Sequence, residues 1–185
     1  VPHIVYYVAT SLDGRLAGPD DALDFLESLT DPDGYGAEAF EPFFDTIDAI
    51  VMGARTFAVL RAAIAAGAAE GWPYGDRRTI VMTRGDRLAP PAGAEVEPFS
   101  GSPRALVEGL DAAGVRRVWL AGGGALAHAF LAEDLIDEIV LTLAPTVLGA
   151  GPSLADGPAL PLRAFALKTV TRGADSVALR YVRAR

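Results

Sequence analysis

Cysteine is absent from the 185-residue sequence, and histidine and methionine occur only twice each. Without thiols the chain has no disulfide framework, no thiolate nucleophile and no cysteine-ligated zinc, a composition that fits a reducing compartment. The two imidazoles, His3 and His128, stand too far apart in sequence for metal-ligand spacing, so no metal is expected. Basic residues are scarce as well: 16 Lys and Arg against 24 Asp and Glu leave a net charge of −8 and no basic patch. That balance argues against a nucleic-acid partner, which needs a cationic surface for its phosphates. The apolar stretches are strand-sized and broken by charge or glycine, and VPHIVYY lacks a cationic lead before an apolar core. Neither a membrane span nor a signal peptide is expected, and the chain reads as cytoplasmic.

What is present is 51% hydrophobic content. That is enough for one well-buried core in a single domain over 1–185, and the length is too short for two ordinary domains. No repeat or long low-complexity segment interrupts it. HIVYYVAT at 3–10 is β-branched and aromatic, followed by a hairpin-like Asp13-Gly14 turn before RLA. Leu23, Phe25, Leu26 and Leu29 recur at helical spacing from Asp21 to Leu29, ended by DPDGYG. AEAFEPFFDT at 37–46 predicts a helix despite Pro42, then DAIVMG a strand, and an Ala-rich helix runs from Thr56 to about Ala66. RRTIVMT is a buried strand. Ser102 and Pro103 form an N-cap and first-turn proline for the helix RALVEGLDAAG, which ends at Gly114. RRVWLA, the glycines, a helix to about Ala132 and the strand within IDEIVLTLAPTVLGAG follow. AFALKTVTRG and DSVALRYVRA close the chain as an antiparallel hairpin. Strands alternating with helices and ending in a hairpin predict an α/β fold with a mixed sheet, helices on its faces and ligands beyond the carboxyl ends of its strands.

Three strand ends carry unusual residues. Gly122, Gly123 and Gly124 remove three side chains where a helix starts, so backbone amides can approach an anion, although a tight turn or close helix packing uses the same glycines. In VMGARTF, Gly53, Arg55 and Thr56 offer amides, a guanidinium and a hydroxyl; a Thr cap beside a solvated Arg is the plainer alternative. In TIVMTRG, Thr83 and Arg84 suit a phosphate monoester, or form an ordinary surface end. Together the three describe a ligand with several phosphates, namely NADPH. Phe40, Phe44, Trp72 and Tyr74 are candidates to line a flat heterocycle's pocket, or to be core. His128 reads as a packing or surface residue and the acidic run at 20–24 as a solvated helix start.

The ordered segments ATSLDGRLAG, VMGARTF, RRTIVMTRG, VWLAGGGALAHAFL and IDEIVLTLAPTVLGAG resemble the dihydrofolate-reductase-like superfamily and, within it, the RibD C-terminal reductase branch in a stand-alone form. The resemblance implies a three-layer α/β fold: a mixed, mostly parallel sheet flanked by helices, with a C-terminal antiparallel hairpin. It also implies NADPH as cofactor, a small heterocyclic substrate and a homodimer. By motif, Gly53, Arg55 and Thr56 would hold the pyrophosphate or adenosine side, and Thr83 and Arg84 the 2′-phosphate. Gly122, Gly123 and Gly124 with the amides of Ala125 and Leu126 would hold the pyrophosphate from the other side. Val8, Ala9 and Thr10 would lie near the nicotinamide, with Ser11 to Asp13 leading a loop over the substrate. Thr142 resembles a pocket threonine, and Thr10, Asp13, Phe40, Phe44 and Thr142 form the implied substrate set. Asp13 and Glu38 are the candidate proton donors, Glu38 standing one place out of the family's register. The implied activity is hydride transfer to a C=N or imine-type bond, with 5-amino-6-(5-phosphoribosylamino)uracil as the named substrate. The Asp-Pro and Arg segment that serves substrate phosphate in that branch is replaced here by VLRAAIAAGAAEGWPYGDRR, and the companion zinc deaminase cannot be present without cysteine. A dihydrofolate or pterin reductase and a non-catalytic NADPH-binding module are the alternatives.

Overall fold

The computed structural model describes residues 1–29, 40–67, 71–85 and 88–184. Among them the chain forms β1 (His3–Thr10), α1 (Phe40–Asp45), β2 (Ala49–Gly53), α2 (Ala54–Ala65), β3 (Arg78–Met82), β4 (Val96–Phe99), α3 (Pro103–Ala112), β5 (Arg117–Gly122), α4 (Gly124–Ala132), β6 (Glu138–Leu143), β7 (Phe165–Arg172) and β8 (Val177–Arg183). The strands join in one sheet of order β4-β3-β2-β5-β1-β6-β8-β7. The first six in that order run parallel, β8 lies antiparallel to β6, and β7 closes an antiparallel hairpin with β8. This is the mixed, mostly parallel sheet with a C-terminal hairpin that the sequence predicts.

Both faces of the central strands are buried, which is why β1 reads as a continuous apolar run rather than an alternating one. Ile4, Tyr6, Val51, Leu120 and Ile80 face α3 and α4, where Leu106, Leu110 and Phe130 pack on them. Val5, Tyr7, Ile50, Met52 and Trp119 face the other way, against Phe57 of α2 and the phenylalanines of α1. Each such side chain taken fully out of water contributes roughly 1.5–3 kcal/mol. Ser102 caps α3 as predicted, its Oγ accepting from the Ala105 amide at 3.2 Å.

From β2 the chain runs outward through α2 to β3, whereas from β5 it runs the opposite way through α4 to β6. Right-handed crossovers in opposite directions put the two helices on opposite faces, so a crevice opens between the carboxyl ends of neighbouring β2 and β5.

Three local expectations change. β4 was not predicted: as an edge strand it shows only Val96 and Phe99 as apolar residues, and it tolerates Pro98 because an edge strand has one neighbour. Residues 21–29 form no α-helix but two short 3-10 turns, Pro19–Asp21 and Asp24–Ser28, with Asp20 and Asp21 at φ +59° and +64°. The Asp13-Gly14 turn is present as expected, the Gly14 amide donating to the Ser11 carbonyl and the Ser11 amide to the Arg15 carbonyl, each at 3.0 Å, and Arg15 also bridges Ser153. α2 begins at Ala54, two residues before Thr56, because Gly53 itself takes the cap position.

Candidate active site

At that crevice lies a cleft of about 1060 Å³. Both bordering helices start in it without a side-chain cap and without an acidic residue in the first turn: α2 behind Gly53, α4 behind Gly123. Their first amides are therefore left to a ligand or to water, at the positive ends of two helix dipoles. The two starts nearly touch. A Cβ built on Gly53 would lie 3.8 Å from the Gly122 carbonyl oxygen and 3.9 Å from the Gly123 nitrogen, and one on Gly123 would lie 3.4 Å from Thr56 Oγ1.

The three consecutive glycines divide between packing and access. Gly122 has φ +105°, a conformation that a side chain strains. At Gly124 a Cβ would stand 2.0 Å from the Ser153 carbonyl oxygen. That position is kept bare by the strap of residues 152–156, whose Asp156 amide donates to the Gly124 carbonyl at 3.0 Å. The strap is tied further by Tyr6, whose hydroxyl donates to the Leu154 carbonyl at 2.8 Å, and by the Leu154 amide on the Gly14 carbonyl at 3.1 Å. Gly123 alone faces the gap between the helix starts.

Ala9, Phe40, Gly53, Arg55, Thr56, Thr83, Arg84, Thr142 and residues 122–126 all line the cleft. Ala9 and Thr142 are register partners across β1 and β6. The Thr83 hydroxyl accepts from the Gly85 amide at 3.0 Å, which leaves its proton to donate.

The rest of the predicted set lies elsewhere. Thr10 is the partner of Leu143, one pleat beyond Ala9; it is buried, its Oγ1 has no hydrogen-bond partner among the described residues, and it does not line the cleft. Phe44 packs behind Phe40 against Tyr74 and Trp119, one layer from the cavity. The Leu126 amide is committed to the Gly123 carbonyl at 3.0 Å, so the free donors there are the amides of Gly124 and Ala125. Glu38 falls outside the described residues. Asp13 does not line the cleft and instead clamps a loop, accepting from Ser11 Oγ at 2.6 Å and from the Leu148 and Gly149 amides at 3.0 and 2.8 Å. Those bonds, Ser11 first, lower its carboxyl to about 2. A group so acidic is ionised at neutral pH and is a poor proton donor. His128 is a packing residue, its Nε2 at 2.8 Å from the Pro158 carbonyl.

Sequence reasoning missed Asp21, which lines the cleft and meets Arg55 Nε at 2.9 Å. Its hydrogen bond and charge hold the Arg55 guanidinium above its ordinary value. Ser100 and Gly101 line the cleft after the unpredicted β4, and Asp156 enters from the strap. The cleft also has an aromatic and aliphatic wall: Trp119 meets Phe40 at 5.2 Å and Tyr74 at 5.3 Å, both edge-on, and Leu23 and Leu26 line it too. No cluster of His, Asp or Glu able to hold a metal exists among the described residues.

Residues 2–179 match the profile of the RibD C-terminal domain. The chain is 30% identical over 180 residues to the uncharacterized protein YwjB of Bacillus subtilis (strain 168), covering 97% of each chain. A solved structure from Shewanella sp. PV-4, named provisionally as a riboflavin biosynthesis protein, superposes with a TM-score of 0.83 at 28% identity over the whole of both chains. The Thermotoga maritima diaminohydroxyphosphoribosylaminopyrimidine deaminase/5-amino-6-(5-phosphoribosylamino)uracil reductase shares the fold, with a TM-score of 0.69 at 15% identity over 99% of this chain and 57% of that one. With a full-length profile match and a relative at 30% identity, the chain belongs to the RibD C-terminal domain family.

Proposed function

We propose that the protein is an NADPH-dependent reductase acting on a C=N bond of a heterocyclic substrate. The observation that carries this is the meeting of two uncapped helix starts at Gly53 and Gly123, with Thr83 and Arg84 along the same cleft. A cradle that a Cβ at Gly123 would fill suits a pyrophosphate, held by the amides of Gly124 and Ala125 and by Arg55 and Thr56. The Thr83 hydroxyl and Arg84 suit the extra phosphate that distinguishes NADPH from NADH. When bound, NADPH supplies a hydride that, with one proton from water, turns C=N into CH–NH and leaves NADP⁺. The chain's own part is to bind, orient and exclude water. Arg55 exchanges part of its contact with Asp21 for phosphate, and Phe40, Tyr74 and Trp119 shield the reacting bond on one side. The acids lining the cleft among the described residues, Asp21 and Asp156, lie on the Arg55 side, Glu38 lies outside the described residues, and the proposed reaction takes its proton from solvent.

The finer expectation, reduction of 5-amino-6-(5-phosphoribosylamino)uracil, is supported by the family and by the name of the Thermotoga neighbour. That substrate carries a phosphate of its own, so a cation on the substrate side decides for or against it. Titration of nicotinamide fluorescence, followed by the loss of reduced-nicotinamide absorbance with a panel of imine-type heterocycles, tests the reading. Saturable NADPH binding and oxidation are expected. No binding refutes it, and binding without oxidation of any member makes the chain a nucleotide-binding module.

A further inference from the structure

We propose that the substrate is an uncharged, flat heterocycle carrying neither phosphate nor carboxylate. The proposal rests on the hydride-transfer reading and narrows it. Of the described residues lining the cleft, only Arg55 and Arg84 are cationic, and both stand on the side assigned to the cofactor's phosphates. The wall beyond them includes Tyr7, Leu16, Leu23, Phe40, Tyr74 and Trp119, together with Thr142. Its polar side-chain groups are hydroxyls and the Trp119 indole N–H, which donates to the Tyr7 carbonyl at 3.0 Å, and aromatic edges and faces favour a planar ring.

The described stretches 16–29 and 40–54, which supply much of that wall, hold seven acidic residues and no Lys, Arg or His. Among the described residues, the cations closest in sequence to the wall residues have partners outside the cavity. Arg15 donates to the Gly151 carbonyl at 2.9 Å, Arg77 stands over the Phe44 ring at 5.1 Å, and Arg117 faces Phe43 at 6.0 Å and Glu138 at 3.6 Å. A substrate phosphate would find no guanidinium or ammonium among the described residues of that wall to receive it. Carboxylate tails, such as the glutamate of a folate, meet the same difficulty, whereas an unsubstituted dihydropterin or a ribosylaminouracil without phosphate does not.

The test measures binding as well as turnover. First, NADPH and NADP⁺ titrations establish the cofactor; failure there removes the hydride-transfer reading and this proposal with it. Next, equilibrium dialysis on the protein–NADP⁺ complex compares 5-amino-6-ribosylaminouracil with its 5-phosphate, and dihydropterin with dihydrofolate. One charge-assisted hydrogen bond is worth roughly 1.5–3 kcal/mol, so at least about tenfold tighter binding of the uncharged member of a pair is expected. Equal affinity, tighter binding of the charged members, or binding of neither pair while NADP⁺ binds overturns the proposal. A gain-of-charge variant gives an independent arm. Leu23 lines the cleft and is 40% exposed, so a polar residue there leaves the core intact. L23R is expected to bring the phosphorylated uracil to within a few-fold of its riboside, and L23Q to leave the preference unchanged; no change in L23R, or the same change in both, counts against the charge argument.

Discussion

Gly123 and Gly124 are neighbours with opposite assignments, and single alanines separate them. G124A puts a Cβ 2.0 Å from the Ser153 carbonyl oxygen and 3.1–3.2 Å from Asp156 atoms. The nearest obstacle is backbone, so the strap must shift, and with it the Asp156 amide bond to the Gly124 carbonyl and the Tyr6 bond to Leu154. Overpacking costs about 1–3 kcal/mol, and a lost hydrogen bond adds about 1 kcal/mol. With a urea dependence of about 1–3 kcal/mol per molar, the midpoint should fall by about 1 M or more. G123A differs. Its φ of −82° suits alanine, and its Cβ meets only Thr56 Oγ1, at 3.4 Å. Stability should stay within about 0.5 kcal/mol of the parent, as for substitutions that disturb no packing. The added methyl nevertheless occupies the gap between the helix starts, so NADPH affinity should drop by about tenfold or more, the loss of one charge-assisted hydrogen bond. Urea unfolding followed by circular dichroism and NADPH fluorescence titration on the same preparations read both quantities. A G124A protein as stable as the parent, or a G123A protein that binds NADPH unchanged, refutes the division.

Three other outcomes follow from the geometry. R84A with T83A should lower NADPH affinity while leaving NADH affinity within about twofold, because one phosphate separates the two ligands; parallel titrations check it. D13N should loosen the 147–149 loop and raise substrate KM while leaving the acid limb of the pH–rate profile in place, since Asp13 at about 2 is ionised throughout the working range; disappearance of an acid-limb pKa in the variant would restore Asp13 as the proton donor. Glu138 governs acid stability at the other edge of the sheet, where it sits buried between His3 at 2.9 Å and Arg180 at 2.7 Å. Burial alone would raise its carboxyl, but the His3 and Arg180 hydrogen bonds and the charges of Arg180 and Arg117 bring it down to about 2. A depressed folded-state value stabilises fully above the ordinary 4.5 and is lost as pH falls from there towards about 2, a change of about 3 kcal/mol. E138Q should therefore flatten urea stability against pH across that window.

Much of this was legible because the informative residues act through the backbone or through local chemistry. β1, the Ser102 cap and the C-terminal hairpin follow from period, cap and alternation. Gly53, Gly123, Thr83 and Arg84 stand out only in combination, because each strand end taken singly is an ordinary turn, cap or surface end. What was hidden depends on contacts remote in sequence. Nothing near Gly124 announces that Ser153 will approach it, and nothing in DDALD announces that Asp21 will reach Arg55 across 34 residues. Asp13 was a candidate proton donor through the family resemblance alone, and its partners Leu148 and Gly149 come from another loop that nothing near Asp13 announces. β4 escaped notice because an edge strand with one neighbour needs little apolar patterning.

The whole account depends on one ligand lying across the ends of β2, β3 and β5. Calorimetric titration of the protein with NADPH and with NADH measures that most directly. One site per chain, with NADPH bound about tenfold to a hundredfold more tightly through Thr83 and Arg84, is the result expected. Equal affinities for the two nucleotides, or heat from neither, would contradict it.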